Sequence, residues 1–78
     1  MQKQQAIEIV RATFESPFEK GRFVAFVKNL LNEYERDEFT YKGNYVPDSF
    51  KEYVNYYERL GKYVDSDDNS IVFYKQRA

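Results

Sequence analysis

The strongest constraint in this chain is a helix whose start is fully specified. Ser16 and Glu19 have the spacing of a capping box, in which the serine hydroxyl accepts from the Glu19 amide and the carboxylate reaches back to the Ser16 amide. Pro17 falls at the first helical position, where a missing N–H costs the helix nothing and φ is already set. From there Phe23, Phe26, Val27, Leu30, Leu31 and Tyr34 recur at steps of three and four, so they share one face of a helix. Arg22, Lys28, Asn29, Asn32 and Glu33 fall on its flanks or far side. The pattern is that of a surface helix with an aromatic stripe turned inward. Gly21 inside it costs about 1 kcal/mol relative to alanine, a defect that a close neighbouring element would explain.

Such a stripe needs partners. Residues 2–13 place Ile7, Val10 and Phe14 at helical steps and are rich in good helix formers. Ile7 and Ile9 alone would also suit a strand, but helix is the preferred reading. The pre-proline position of Ser16 disfavours helical geometry there, so a short bend separates two helices into an αα-hairpin. Residues 35–46, ERDEFTYKGNYV, break the pattern with a charge cluster and the turn signal Lys42-Gly43-Asn44, and read as a loop. Pro47 or Asp48 then opens a helical turn, with Phe50, Tyr53, Val54, Tyr57 and Leu60 again three and four apart. Against a long helix, residues 53–63 are rich in Val and Tyr and precede the β-prone 71–74 across the turn-rich DSDDNS.

The expectation is a short helix over 48–53, then a strand over about 54–65 that hairpins into 70–76. An even-numbered loop centred between Asp67 and Asp68 sets Val64 opposite Ile71 and Tyr63 opposite Val72, giving apolar pairs on both faces. A sheet apolar on both sides calls for further strands or for helices on each side. The fold class is α+β, two to three helices packed on a C-terminal β-hairpin, in a single small domain spanning 1–78. There is no internal repeat, no low-complexity segment and no linker long enough to separate two domains.

At 78 residues, burial only just offsets chain entropy, and seven Phe and eight Tyr, against one Met and no Trp, must fill much of the core. The absence of cysteine excludes disulfides and thiolate zinc sites, and the absence of histidine excludes Ser–His and Cys–His catalysis. Twelve basic against thirteen acidic residues leave a net charge of −1, which is not the footprint of a self-sufficient nucleic-acid binder. No apolar run approaches the roughly 20 residues needed to span a bilayer, and MQKQQAIEIV lacks the apolar core of a secretion signal. No membrane association and a cytoplasmic location are expected.

The wording FESPFEKGRFVAFVKNLLNEYE, a turn, then GNYVPDSFKEYVNYYERLGKYVD resembles the N-terminal segment of type IIG, Eco57I-like, restriction-modification enzymes, over residues 14 to about 63. In that family a nuclease-associated N-terminal region precedes an adenine-specific DNA methyltransferase and a DNA recognition region. The resemblance implies a non-catalytic module of bacterial defence that supports DNA cleavage or positioning within a longer chain. It rests on buried and turn residues, so it speaks to kinship more than to activity. The family's next strand opens with Ile-Asp, whereas here it opens Ile71-Val72; no Asn-Pro-Pro-Tyr or Asp-Pro-Pro-Tyr motif and no glycine-rich loop for S-adenosylmethionine occur.

Each chemical candidate has a structural rival. A PD-(D/E)XK nuclease needs an acid and then acid-x-Lys on adjacent strands, to hold a divalent metal with the lysine beside the attacking water. Pro47-Asp48 has the opening dipeptide, but Phe73-Tyr74-Lys75 offers the lysine without its acid, so Asp48 reads as a helix cap. Asp65, Asp67, Asp68 and Asn69 match the start of an EF-hand, which then fails at Ser70 and Gln76, and a solvated turn is preferred. No catalytic residue, metal ligand or cofactor is therefore assigned. Lys20, Arg22 and Lys28 are the candidates for phosphate contact from one edge of the main helix, with ordinary solvated charge as the rival reading. Tyr53, Tyr56, Tyr57 and Tyr63 are candidates for stacking on bases, with core packing as the rival.

Two functions from different classes follow: the restriction-modification module, with DNA as partner in a longer chain, and a small stand-alone interaction domain that docks a protein partner or a second copy.

Overall fold

The computed structural model describes residues 2–15, 22–42, 45–67 and 69–76. The capping box at Ser16 and Glu19, Pro17, Lys20, Gly21, the turn residues Gly43 and Asn44, and Asp68 lie outside these.

Helix α1 runs Lys3–Glu15. Its start is held by a half capping box: the Gln2 amide donates to Gln5 Oε1 at 2.8 Å, while the Gln5 amide donates to the Gln2 carbonyl. Helix α2 runs Arg22–Tyr34 and buries Phe23, Val27, Leu30 and Leu31, with Phe26 and Tyr34 half-buried beside them. The inward stripe read from the sequence is the stripe observed.

Residues 35–46 are not all loop. Glu38–Lys42 form strand β1, with Phe39 and Tyr41 buried and Glu38, Thr40 and Lys42 exposed. The period-two alternation is present, but only two apolar residues carry it, between charges that dominate a local reading.

The expected strand from residue 54 is also corrected: helix α3 runs Asp48–Arg59. Tertiary contact decides here, since β-propensity is a weak preference that depends on packing. At helical spacing Phe50 and Val54 are buried, and Tyr57 lies flat against Phe23, centroids 4.7 Å apart and planes 7° from parallel. As a strand the same residues would point to alternate faces, and Phe23 would lose that cover. The helix begins without a side-chain cap. Pro47 occupies the N-cap and Asp48 the first turn, where its carboxylate lies near the positive end of the helix dipole and 3.9 Å from Lys51. Asp48 is therefore not the cap.

Strands β2 (Val64–Ser66) and β3 (Ser70–Tyr74) form the terminal hairpin, and β1 adds to it as a third, antiparallel strand, order β1-β3-β2. The pairing differs from expectation: Val64 is opposite Phe73 and Ser66 opposite Ile71. The Asp67 amide donates to the Ser70 carbonyl, so the even-numbered turn is centred one residue later than the spacing suggested. That later centre keeps each residue on its face but changes the partners on the second one, where Val72 faces Asp65 and the Tyr74 amide donates to the Tyr63 carbonyl. Val72 sits between Thr40 and Asp65, while Phe39, Tyr41, Val64, Ile71 and Phe73 gather on the other face.

Among the described residues the sheet is thus covered on one side, by the helices. Rings join the layers. Phe26 meets Phe73 edge-on at 5.6 Å, Phe14 meets Phe50 at 4.9 Å and Tyr41 at 5.8 Å, and Tyr34 meets Phe39 at 5.3 Å. Edge-to-face contacts of this kind add stabilisation beyond area burial, which suits a core short of large aliphatics. The described residues therefore make an α+β unit of three helices and a three-stranded antiparallel sheet.

Candidate functional site

Among the described residues an open groove of about 620 Å³ lies between the first turns of α3 and the β2–β3 turn. Its floor is Tyr41, Val54 and Ile71, and its rim carries Tyr45, Asp48, Lys51, Asn55, Asp67 and Ser70. Tyr45, 80% exposed, is a feature the sequence reading did not single out. It follows the turn signal directly, and no spacing rule marks it.

Asp67 is tied into its own turn. One carboxylate oxygen accepts from the Asn69 amide at 3.0 Å, the Ser70 amide at 2.9 Å and the Ser70 hydroxyl at 2.9 Å. The Asn69 bond foremost, then Ser70 and the positive charge of Lys42, hold its pKa below the usual 3.8. Asp65 lies apart, exposed on the outer face opposite Val72. No group of three or more metal-ligating side chains occurs among the described residues. The EF-hand-like spacing is thus a hydrogen-bonded turn for the residues described.

The two halves of the nuclease-like pattern are separated. Asp48 faces the groove beside the Ser70 end of β3, whereas Lys75 follows the other end and lies 3.6 Å from Asp37. The Lys75 amide donates to the Asp37 carbonyl, so the pair continues the β1–β3 ladder. Spacing alone does not mark Asp37 as a partner, because the strand that places it pairs with residues some thirty positions away. The Asp37–Lys75 pair is exposed and bridges strands at the surface, a position where ion pairs contribute little.

Of the three proposed phosphate contacts, Lys20 lies outside the described residues, and Arg22 and Lys28 are both exposed on α2. Six positions apart, they are separated by roughly 120° around the helix and flank its outer half from opposite sides, not along one edge. The tyrosines proposed for base stacking divide. Tyr53 and Tyr57 pack on Phe23, and burial, then Tyr56, Tyr63 and Tyr53, raise the pKa of Tyr57 above 10.0. Tyr63 is half-buried, holds a left-handed φ of 70°, and donates its hydroxyl to Gln76 Oε1 at 2.7 Å. Tyr56 is at the surface, 36% exposed, edge-on to Tyr57.

No helix among the described residues is long and apolar enough to cross a membrane. In comparisons with known proteins, no family model, no curated protein and no solved structure matches this chain.

Proposed function

We propose that the chain serves as a non-catalytic module of a restriction-modification enzyme, supporting DNA cleavage or DNA positioning as part of a longer protein. The observation that carries this reading is where the resemblance falls in the fold. The wording that resembles type IIG enzymes covers α2, α3 and the aromatic contacts that join them, Phe23 with Tyr57 and Phe50. What resembles the family is therefore a packed unit, and Arg22 and Lys28 are exposed on it for backbone contact. A chimaera tests the reading: the chain replaces the matching N-terminal segment of a type IIG enzyme. Retained DNA cleavage is the expected result; a chimaera that still methylates DNA but no longer cuts it sinks the proposal.

A second reading, an interaction domain, is favoured by the one-sided sheet, whose outer face leaves Val72 and Tyr74 half-exposed and whose β1 lies at an edge. Amide hydrogen exchange on the purified chain and in extract separates it from the first. Added protection along β1 is expected if a protein docks there, and unchanged exchange across the sheet counts against docking.

A further inference from the structure

We infer that the outer edge of β1 pairs with the same edge of a second copy, joining two sheets into one. The inference rests on the docking reading and names its occupant. Three features agree. The first is direction: because the Lys75 amide donates to the Asp37 carbonyl, residues 37, 39 and 41 turn their backbone groups toward β3, and Glu38, Thr40 and Lys42 turn theirs away from it. The second is parity. A two-fold axis through Thr40 sets Thr40 against Thr40, and Glu38 of each copy against Lys42 of the other, and all three of these pairs are outward-facing residues. Each pair exchanges two N–H···O bonds in an antiparallel ladder.

The third feature is charge. EFTYK read against itself in reverse places a carboxylate opposite an ammonium at both ends and Phe39 opposite Tyr41 on the core-facing side. Glu38 and Lys42 are each engaged within their own copy, and both are exposed, so their charges are within reach of a second copy. Opposite charges directly across a strand pair favour this register, and a parallel or shifted pairing would not align them.

Solution mass measured by light scattering tests the inference at about 100 µM chain, a concentration that populates contacts of micromolar strength. A dimer is expected, and a monomer at that concentration overturns the proposal. Thr40→Pro removes one outward donor and leaves the β1–β3 bonds intact, a placement an edge strand tolerates. It is expected to yield folded monomer, and a dimer that persists in it overturns the proposal.

Charge reversal gives a readout that does not depend on proline being accommodated. Glu38→Lys and Lys42→Glu should each weaken self-association, by roughly tenfold. Mixed together, they should associate again, since each then presents the charge the other lacks; failure to do so overturns the register. Protection of the Thr40 amide in extract while the pure chain stays monomeric would keep docking and reject self-pairing.

Discussion

Helices α2 and α3 end in the same hydrogen-bonded motif, built once with glutamate and once with glycine. At the end of α2 the Arg36 amide donates to the Leu31 carbonyl and the Glu35 amide to that of Asn32, with Glu35 at φ 59°. After α3 the Lys62 amide donates to the Tyr57 carbonyl and the Gly61 amide to that of Glu58, with Gly61 at φ 68°. Both are Schellman closures, whose left-handed residue is usually glycine because a Cβ there crowds the backbone. A Cβ at Gly61 would meet nothing within 4 Å, so what glycine relieves there is backbone strain alone. The carbonyl that closes α2 belongs to Leu31, which is fully buried, whereas the one that closes α3 belongs to Tyr57, half-buried on Phe23, and Leu60 just before Gly61 is 50% exposed. The end anchored more deeply in the core holds its closure without glycine; the one anchored less deeply uses the residue that adopts it without strain.

The largest effect should come from removing the anchor. Leu31→Ala is expected to cost roughly 2–5 kcal/mol, and Leu60→Ala to stay within about 0.5 kcal/mol, as read by urea denaturation. Equal losses would remove the distinction between the two ends. Next, Gly61→Ala should cost about 1 kcal/mol, lowering the melting temperature by roughly 4–8 °C in a domain of this size. The reverse exchange sharpens the comparison: Glu35→Gly should stabilise by roughly 0.5 kcal/mol, the relieved strain exceeding the entropy glycine adds to the unfolded chain. A loss on melting would show that the Glu35 side chain contributes more than its conformation costs.

The smallest effect is one of pH. Tyr57, whose carbonyl closes α3, has its phenol pKa raised by burial, so the fold favours the neutral form. Its contribution is complete below the usual value of 10.0 and is lost as pH rises through the raised one, because the unfolded chain ionises first. Leu31, at the matching position of α2, has no such group. Tyr57→Phe should keep the ring stack and flatten the alkaline limb of a stability–pH curve; an unchanged limb would assign it to other tyrosines.

Legibility in the sequence followed the number of residues that carry each pattern. The stripe of α2 spans six apolar positions, and its face was readable from spacing alone. The hairpin was readable too, since Asp and Asn between two apolar runs specify a turn, though with several aspartates in a row the expected centre falls one residue early. Strand β1 rests on Phe39 and Tyr41, and its partner β3 lies some thirty residues on, a pairing no local window contains. The length of α3 was hidden because Tyr53 and Tyr57 fit both periods until Phe23 is placed beneath them. At the site, the turn chemistry of Asp67 was visible in its neighbours. The separation of Asp48 from Lys75 was not, since it depends on which end of β3 each lies against.

The near-parallel rings of Phe23 and Tyr57 also give the molecule a built-in magnetic reporter. Each ring lies in the shielding cone of the other, so their proton resonances should move upfield together when the helices dock and return toward random-coil positions when they part. The chain has no tryptophan, so no indole signal will crowd the aromatic region in which that movement is followed.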